Sequence, residues 1–539
     1  MTNSPFIALE RVSFQFANGR LLLDGLSEVF DARHTGLVGR NGVGKSLLGR
    51  LLAGLDVPTQ GHISRQARVA YLPQSTAPST DTRLIDLAGL AAPYAALQRV
   101  AEGRPLDDDI ERLDGRWDII ERLQRSLINE GLGHLPLECP ALALSGGERR
   151  RVALLGILLQ DADLLILDEP SNHLDAPSRR RLGERLQHWP GGLVLISHDR
   201  ELLAGMQRIV ELSAQGLRSY GGNYAFYRDC RAHEVQAASL ALEHARIQRK
   251  RGERELQAQQ QRQQRRAASA ERSNRSSNQA QILLDAQKNR SQVSAGRLQQ
   301  RLQERREQLQ NTVREATSRS GQELVIRMHG APVLLPAGKR VLRLHQVQAP
   351  LCTTPLPDME LFGDFRLAIS GANGCGKSSL LMMLAGRLQP VAGECQVDVS
   401  VAYLDQHLTC LEGSSCALDH LRRCNPSLDD ALARTRLAHL GIDAERIELS
   451  CVQLSGGERL KLALAGVIAA QPAAPLLLLD EPDNHIDLDS LLVVERVLQD
   501  FHGALAVVSH DQAFIAALGI TDRLSWTDEG WSHQCTGST

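Results

Sequence analysis

Short apolar runs that end in polar residues recur along this 539-residue chain and predict buried parallel strands. Leu164–Leu167 and Pro475–Leu479 each lead into an Asp-Glu pair, and Leu193–Ile196 and Leu505–Val508 each lead into Ser-His-Asp. A short, continuous apolar run is typical of a strand that is covered on both faces by helices. The pattern therefore predicts an α/β fold in which these polar residues lie at the carboxyl ends of strands, where open α/β sheets bind their ligands.

The segment 231–320, called the basic insertion below, has the opposite pattern, with few apolar positions. It contains 17 glutamines, 19 Lys plus Arg and 9 Asp plus Glu, but no proline and no aromatic residue. Straight-chain residues without proline favour helix, and the short polar side chains of Ser273–Asn278 predict a break in it. We therefore expect two helices folded back as a hairpin with a narrow apolar seam. A merely solvated helical spacer is the alternative interpretation.

One set of five motifs appears twice in the same order. The offset is 332 residues for the first two motifs and 310 to 312 for the other three, which indicates a duplicated domain. The first copy comprises Gly39–Ser46, Gln74, Leu144–Glu148, Asp168–Pro170 and Ser197–Asp199. The second copy comprises Gly371–Ser378, Gln406, Leu454–Glu458, Asp480–Pro482 and Ser509–Asp511.

The two glycine-rich motifs predict phosphate-binding loops for ATP. Their glycines let the backbone approach phosphate oxygens, the lysine adds positive charge at the β- and γ-phosphates, and the serine hydroxyl binds Mg²⁺. The following helix directs its positive N-terminal end at the same phosphates. The predicted ATP-binding residues are Gly39, Arg40, Asn41, Gly42, Val43, Gly44, Lys45 and Ser46 in the first loop, and Gly371, Ala372, Asn373, Gly374, Cys375, Gly376, Lys377 and Ser378 in the second.

The residues at the strand ends supply the rest of the predicted chemistry. Asp168 and Asp480 close buried strands and are predicted to hold Mg²⁺ together with the serines of the loops, Ser46 and Ser378. The glutamates that follow them are predicted to act as general bases on the attacking water. Histidine and glutamine at neighbouring strand ends are expected to reach the γ-phosphate, the metal or the water. The predicted catalytic residues are Glu169, Glu481, His198, His510, Gln74 and Gln406.

The two Leu-Ser-Gly-Gly-Glu motifs, called signatures below, each open a further helix. They give each copy a second helix N-terminus that is able to bind phosphate. Because one ATP has no use for two such sites from the same domain, we expect a head-to-tail pairing in which each signature faces the other copy's phosphate loop. The predicted signature contacts to ATP come from Ser145, Gly146, Gly147, Ser455, Gly456 and Gly457.

Taken together, these motifs resemble the ATP-binding cassette superfamily over nearly all of both copies. The resemblance implies ATP hydrolysis at two composite sites with Mg²⁺, and it implies that Phe16 stacks on adenine in the first copy. In the second copy Gln348 stands at the position predicted to match Phe16. The predicted fold is α/β, with P-loop ATP-binding cassette domains at 6–228 and 339–525, a long α-helical hairpin linker at 229–338 and a short tail at 526–539.

The layout further resembles the ABC-F branch, whose soluble tandem cassettes act on the ribosome. Asn172–Asp175, Asn484–Asp487 and Tyr220–Tyr227 resemble motifs of that branch. The resemblance implies a cytoplasmic ATPase that binds the ribosome near rRNA and peptidyl-tRNA in its ATP-bound closed state and is released on hydrolysis. Protection of the ribosome from an antibiotic is one subfunction of that kind. Pairing of the cassettes within one chain implies a monomer.

Charge supports a polyanionic partner independently of the resemblance. The basic insertion carries +10, whereas the whole chain carries −2. This asymmetry suits rRNA or tRNA phosphates, and the planar donor fork of arginine suits phosphate contacts. Because the insertion has no aromatic residues, we expect contact with the nucleic-acid backbone and not base stacking. The predicted contact residues are Arg262, Arg265, Arg266, Arg272, Arg275, Lys288 and Arg290.

Two other functions stay open at this point. A cassette ATPase that acts on DNA in repair or recombination would use the same basic insertion. The ATP-binding subunit of a transporter would need a separate membrane partner, because the sequence has no run of 18 or more apolar residues and no membrane insertion is expected. The ten cysteines are scattered without a C-x-x-C pair, which predicts reduced thiols and neither a disulfide framework nor a zinc site.

Overall fold

A computed structural model describes the protein at residues 6–74, 78–113, 115–275, 300, 303, 305–314, 335–350, 354–442, 444–484, 486–527 and 529–535. The chain divides into two compact units. The first unit contains Met1–Tyr227 together with Ile326–Thr539, and the second contains Arg228–Val325. Both cassettes therefore belong to one unit.

The first cassette alternates strands and helices, as the hydrophobic pattern predicts. Its strands are β1 (Ile7–Gln15), β2 (Leu21–Phe30), β3 (His34–Val38), β4 (Gln60–Arg65), β5 (Val69–Leu72), β6 (Leu164–Asp168), β7 (Gly192–Ile196), β8 (Arg208–Ser213) and β9 (Gly216–Tyr220). Its helices are α1 (Lys45–Ala53), α2 (Leu84–Leu87), α3 (Ala91–Ala101), α4 (Asp109–Leu113), α5 (Ile119–Asn129), α6 (Gly146–Leu158), α7 (Ala176–Gln187) and α8 (Arg200–Ala204).

Helix α9 (Tyr224–Arg275) leads out of the first cassette, and residues 305–314 form a further helix, α10. The strands of the second cassette are β10 (Arg340–Gln348), β11 (Met359–Phe362), β12 (Arg366–Ser370), β13 (Ala392–Val397), β14 (Val401–Leu404), β15 (Leu476–Asp480), β16 (Ala504–Val508), β17 (Asp522–Thr527) and β18 (Gly530–Cys535). Its helices are α11 (Lys377–Leu384), α12 (Ala417–Cys424), α13 (Asp430–His439), α14 (Ala444–Ile447), α15 (Gly456–Ala469), α16 (Leu488–Gln499) and α17 (Gln512–Ala517).

The duplication seen in the motifs extends to the sheet topology. The main sheet of the first cassette has the strand order β5-β6-β7-β3-β8-β9, and that of the second has β14-β15-β16-β12-β17-β18. The smaller antiparallel sheets have the orders β2-β1-β4 and β11-β10-β13. Each strand of the first cassette thus has its counterpart nine strands later, and the predicted α/β fold with two cassettes is confirmed.

The runs that predicted buried strands are the centres of the two main sheets. The strands β6, β7, β15 and β16 have five residues each, and all of these residues are buried. These strands pair in parallel with their neighbours. Each buried leucine or isoleucine contributes about 1.5–3 kcal/mol relative to an exposed one. This burial fixes the register of the strands, and the register fixes where each acidic residue at a strand end points.

The strand register corrects one expectation about the second cassette. Ile7 of β1 pairs with Arg65, and Leu342 of β10 pairs with Val397, so β10 follows β1 by 335 residues while β13 follows β4 by 332. Gln348 is therefore the counterpart of Ser13, and the position that matches Phe16 is residue 351, which lies outside the described residues. The prediction that Gln348 occupies the slot of Phe16 is wrong because fewer residues separate strand from phosphate loop in the second copy.

The end of the second cassette also differs from the prediction. The predicted boundary at residue 525 falls inside β17, and β18 pairs antiparallel with β17 from Asp522↔Cys535 to Thr527↔Gly530. The predicted tail 526–539 is therefore part of the sheet as far as Cys535. The sequence signal was weak here because β18, with Trp531 and His533 among polar residues, lacks the continuous apolar pattern of a central strand.

The described part of the second unit is helical. Leu309 of α10 is 9% exposed and packs at Gly252 of α9, where a Cβ atom would lie 2.5 Å from Leu309 Cδ1. The chain therefore returns along α9, as the predicted hairpin requires. Helix α9 includes Ser273, Asn274 and Arg275, so these first three residues of the predicted break do not end it. The rest of the predicted break and the tip of the hairpin lie outside the described residues.

Candidate functional site: two phosphate loops and the interface between the cassettes

Both glycine-rich loops are folded around the ammonium group of their own lysine. Lys45 Nζ donates to the carbonyls of Gly39 and Arg40 at 2.7 and 3.1 Å. Lys377 Nζ donates to the carbonyls of Gly371 and Ala372 at 2.8 and 2.9 Å. The loop carbonyls thus hold each charge at the start of α1 or α11, beside the backbone N–H groups that open the helix.

Several loop glycines are required by the backbone or its neighbours. Gly44 and Gly376 precede the helices with φ of 107° and 97°, a left-handed conformation that side chains disfavour. A Cβ atom on Gly39 would lie 2.3 Å from the carbonyl oxygen of Leu212. The loop is therefore pressed against β8, which leaves its outer side for a ligand.

The glutamate that follows each central strand has an unusual backbone. Glu169 has φ of 47° and Glu481 has φ of 48°, and their N–H groups donate to the carbonyls of Ile196 at 2.8 Å and Val508 at 2.9 Å. Strained residues of this kind persist only where the surrounding structure determines them, and they cluster at functional sites. The strain turns each glutamate out of the sheet direction at the same point in both copies.

The aspartate before each glutamate faces the serine of the phosphate loop. Asp168 is hydrogen-bonded to Ser46 and accepts from Tyr71 Oη at 3.3 Å, and Asp480 is hydrogen-bonded to Ser378. Asp168 Oδ1 is buried and has no hydrogen-bond partner among the described residues. A buried carboxylate oxygen without a partner, next to a serine hydroxyl, fits the oxygen ligands that Mg²⁺ prefers.

Histidine and glutamine complete the group around each glutamate. His198 Nε2 lies 3.5 Å from Glu169 Oε1, and His510 Nε2 lies 3.8 Å from Glu481 Oε1. Gln406 Nε2 donates to Glu481 Oε2 at 3.1 Å. A cavity of about 410 Å³ brings Gln74 together with Lys45, Ser46, Asp168, Glu169 and His198. The structure thus collects these predicted residues of the first copy in one place.

Burial sets the charge state of the groups in these sites. It raises the pKa of Glu169 to about 8, although the nearby Lys45 opposes the shift. Burial together with the lysine charges lowers the pKa of His198 to about 3 and that of His510 to about 3. Both histidines are therefore neutral near pH 7, and their rings are available as hydrogen-bond partners and not as charges.

Both signatures begin helices, as predicted. Helix α6 starts at Gly146 and α15 starts at Gly456, and each is closed by a reciprocal capping box. Ser145 N donates to Glu148 Oε2 at 2.8 Å, and Glu148 N donates to Ser145 Oγ at 3.2 Å. The cap holds the first turn of the helix rigidly, with glycine on its surface.

The two cassettes meet head to tail across these sites. Asn373 of the second phosphate loop donates to the carbonyl of His173 at 2.9 Å, and a Cβ atom on Gly147 of the first signature would lie 3.6 Å from Asn373 Nδ2. Reciprocally, the N–H of Asn41 in the first phosphate loop donates to Asp487 Oδ2 at 3.1 Å. Each phosphate loop therefore contacts the opposite cassette. Below, site 1 is the site at Gly39–Ser46 and site 2 the site at Gly371–Ser378.

Arg150 is a residue of the first site that sequence reasoning missed. It lies in α6 two residues after the signature, is 4% exposed, and donates to the carbonyls of Pro73 at 2.6 Å, Asp168 at 2.6 Å and Glu169 at 2.8 Å. It thus ties the signature helix to the strand ends that carry Gln74 and Glu169. The counterpart in the second copy is Leu460, so the repeat gave no signal for this role.

The other predicted contact residues, Phe16 and the basic residues of the insertion, do not belong to the groups described above. Phe16 is 43% exposed, lies edge-on to Phe14, and is not among the residues that line the cavity. Arg262 and Arg265 are exposed on α9. Arg266, Arg272 and Arg275 lie in α9 with side chains that are not described, and Lys288 and Arg290 lie outside the described residues.

Asp522, His533 and Cys535 form another group of potential metal ligands on β17 and β18. His533 Nε2 lies 3.0 Å from Asp522 Oδ1, and Cys535 Sγ donates to the same oxygen at 3.4 Å. These hydrogen bonds account for the cluster as a tie between the two strands. In the described part of the chain, no helix is both long and apolar enough to cross a membrane.

Two phosphate loops, each with an acidic strand end and each contacting the opposite cassette, define a tandem nucleotide-binding ATPase. The family described as ABC transporter matches residues 27–172 and 358–484. The chain is 31% identical to the probable ATP-binding protein YheS of Escherichia coli K12, over 93% of this chain and 76% of that protein. It is 29% identical to ABC transporter F family member 3 of Arabidopsis thaliana, over 95% of this chain and 71% of that protein.

A further relative and a solved structure agree with this family match. The chain is 30% identical to the tylosin resistance ATP-binding protein TlrC of Streptomyces fradiae, over 88% of this chain and 89% of that protein. A crystal structure of the archaeal ribosome recycling factor aABCE1 with ribosomal stalk protein aP1 shares the fold, with a TM-score of 0.60 and 18% identity over 96% of this chain and 88% of that one. This chain belongs to the ATP-binding cassette family and is an ATPase of its ABC-F branch.

Proposed function

We propose that this chain is a cytoplasmic, monomeric ATPase that binds the ribosome with ATP in both sites and leaves it after hydrolysis. The observation that carries the proposal is the basic insertion, which places a charge of +10 between two cassettes in a chain of net charge −2. Helices that carry such charge attract RNA phosphates. Membership of the ABC-F branch supports the same partner. TlrC is named for resistance to tylosin, which supports drug resistance as a subfunction to be tested.

In this proposal the residues of each site have separate roles in binding ATP. The loop backbones from Gly39 and from Gly371 cradle the phosphates, Lys45 and Lys377 neutralise them, and the opposite signature completes each site. Ser46 with Asp168, and Ser378 with Asp480, would hold Mg²⁺, which neutralises phosphate charge when it is bound. Phe16 is free to stack on the adenine of site 1.

Glu169 and Glu481, in their ionised forms, are assigned to accept a proton from the attacking water. Because burial raises the pKa of Glu169 to about 8, its ionised form gains population as the pH rises through that value. Glu169 lines the same cavity as Lys45 of the phosphate loop, and the histidine neighbours of both glutamates are neutral hydrogen-bond partners for the γ-phosphate. Gln74 and Gln406 are assigned to orient the water, since Gln406 already donates to Glu481. Such positioned groups contribute by general base catalysis and by orientation.

ATP binding and ribosome binding are coupled in this proposal through closure of the cassettes. Each ATP contacts both cassettes, so the closed form binds ATP more tightly than an open one. Moving such an equilibrium from 1:99 to 99:1 requires about 10⁴-fold tighter binding to the closed form. Hydrolysis removes the γ-phosphate that joins the two surfaces, and the complex with the ribosome is then released.

A variant that binds ATP but does not hydrolyse it, called the trapped variant below, tests the proposal. Glu169→Gln combined with Glu481→Gln should bind ATP without hydrolysing it, and the variant should co-sediment with ribosomes through sucrose in the presence of ATP. The matched control adds Lys45→Ala and Lys377→Ala to the same variant, which should remove ATP binding and leave it in the supernatant. Ribosome co-sedimentation unchanged from wild type would overturn the proposal. Preferential capture by branched DNA or by vesicles would favour DNA repair or a membrane partner instead.

The basic insertion should contribute by charge. We expect Arg262→Glu with Arg265→Glu to weaken ribosome binding of the trapped variant and to reduce the slope of log affinity against log salt by about 1 to 2, because roughly 0.7–0.9 of a counterion is released per phosphate contact. Arg104→Glu with Arg122→Glu is the control, since both residues are exposed on the first cassette and the net charge change is the same. An equal loss in both double variants would contradict a specific role of the insertion.

A further inference from the structure

The second cassette has a cavity at the place that an arginine fills in the first cassette. The buried guanidinium of Arg150 donates to three backbone carbonyls, those of Pro73, Asp168 and Glu169. At the offsets of the repeated motifs, the counterparts are Leu460 for the arginine and Asp405, Asp480 and Glu481 for the three carbonyls. A cavity of about 410 Å³ is lined by all four counterparts. Where the first cassette has arginine, the second therefore has leucine and a cavity beside the corresponding backbone groups.

This cavity is distinct from the space for the ATP phosphates. None of the residues Gly371–Ser378, all of which the structure describes, lines it. Its wall is formed by the strand ends and by Gly456 and Leu460 at the start of α15. Since it shares Gln406 and Glu481 with site 2, a ligand in it would touch that site without occupying the phosphate loop.

Leucine supplies none of the hydrogen bonds that the arginine makes. In the first cassette one guanidinium contacts four carbonyls, because Arg150 Nε also donates to the carbonyl of Pro170 at 3.4 Å. Pro482, the counterpart of Pro170, lines the cavity as well. Backbone carbonyls at such a place are completed by water or by another donor. A planar guanidinium or amidinium group matches them, because its N–H donors form a rigid fork that reaches several acceptors.

The charge of the lining also favours a cation. Among the described residues that line the cavity are one arginine, Arg459, and four carboxylates, Asp405, Glu412, Asp480 and Glu481. The arginine is already engaged, since its Nη2 donates to the carbonyl of His407 at 2.9 Å. Burial raises the pKa of Asp480 and that of Glu481. A cation placed beside these two carboxyl groups would favour their ionised forms and would be held by their charge.

Apolar side chains form much of the remaining wall. Leu404, Leu408 and Ile486 line the cavity together with Leu460, and all four are buried. Sites for small organic molecules have volumes of about 300–1,000 Å³ and combine an apolar lining with a few polar groups. The wall therefore suits a ligand that carries an apolar body next to its charged group, and it does not suit a hydrated inorganic ion.

We propose that this cavity binds a small organic cation in which a guanidinium or amidinium group is attached to a compact apolar body. The planar group takes the position that the Arg150 guanidinium has in the first cassette and donates to the carbonyls of Asp480 and Glu481. The apolar body packs against Leu460. The ligand thus joins α15 to the strand ends, as Arg150 joins α6 to them, and it stabilises the second cassette. The inference does not depend on the ribosome.

Benzamidine and benzamide test the proposal on the purified full-length chain, with both phosphate loops saturated by a non-hydrolysable ATP analogue. Benzamidine carries an amidinium group on an apolar ring, and benzamide has the same shape without the charge. In a ligand-observed NMR titration benzamidine should bind at least about tenfold more tightly than benzamide, because charge-assisted hydrogen bonds are roughly twice as strong as neutral ones. Benzamidine should also raise the Tm of the chain, and benzamide should not.

Two variants locate the binding in the cavity. Leu460→Arg supplies the guanidinium from the chain itself and should weaken benzamidine binding at least about tenfold, since one charged fork already satisfies the carbonyls. Because that change is at a buried position, Glu412→Gln gives an independent test at an exposed one. It should weaken binding about two- to fivefold, the usual effect of one exposed charge.

The matched control is Glu448→Gln, which removes the same charge at an exposed position that does not line the cavity. It should leave benzamidine binding unchanged. Benzamide that binds as tightly as benzamidine would overturn the inference. Equal losses in the two glutamate variants would also overturn it, as would benzamidine binding that Leu460→Arg leaves unchanged.

Discussion

Replacement of Glu169 and Glu481 together by glutamine should lower ATP turnover by about 10²–10⁴-fold, the usual contribution of a general base. Glutamine keeps the size of the side chain and its tolerance of the strained backbone, but it does not accept a proton at neutral pH. The affinity for ATP should therefore stay within a few-fold of wild type. Steady-state phosphate release and equilibrium binding of a fluorescent ATP analogue measure the two quantities separately.

The control for this experiment is a pair of exposed glutamates, one in each cassette. Glu184→Gln with Glu448→Gln removes the same charge and should leave turnover within about twofold. A loss of less than tenfold in the double variant of Glu169 and Glu481 would show that other groups activate the water. A parallel loss of ATP binding would show that the two glutamates hold the structure of the sites.

Replacement of Arg150 by leucine should destabilise the first cassette more than any other single change considered. The guanidinium donates to three backbone carbonyls within 2.8 Å, and hydrogen bonds to a charged group contribute about 1.5–3 kcal/mol each. We expect a loss of about 3 kcal/mol or more in the free energy of unfolding, or roughly 6–12 °C in Tm for a domain of this size.

Differential scanning calorimetry checks this expectation. Arg150→Lys should give an intermediate loss, because the ammonium group keeps the charge but not the planar fork that reaches several carbonyls. Arg122→Leu, at an exposed position of α5, should leave Tm within about 1–2 °C, as surface substitutions usually do. A Tm that Arg150→Leu leaves unchanged would contradict the structural role assigned to this arginine.

The sequence predicted those parts of the fold that depend on local pattern. Continuous apolar runs such as Leu164–Leu167 marked the central strands because burial on both faces requires them. The signatures predicted helix starts, because the spacing of Ser145 with Glu148 and of Ser455 with Glu458 is that of a capping box. Motif order marked the duplication, and the sheets repeat it strand for strand.

Features that depend on strand register or on long-range contacts could not be predicted from the sequence. Gln348 was aligned with Phe16 by counting from the phosphate loop, but strand pairing at Leu342 shows a three-residue difference in the approach to that loop. The role of Arg150 depends on carbonyls that lie 18 to 77 residues away. The strained backbones of Glu169 and Glu481 depend on hydrogen bonds to the next strand. The local spacing of residues does not predict these hydrogen bonds.

The fusion of both cassettes into one chain has a kinetic consequence. Separate cassettes would have to find each other by collision, so their response to ATP would shift with protein concentration. In this chain the partner surface is always present at a high effective concentration, which is set by the covalent connection. Assembly of the paired sites is thus a unimolecular step, and the ATP level at which they assemble is the same in a dilute and in a crowded solution of the protein.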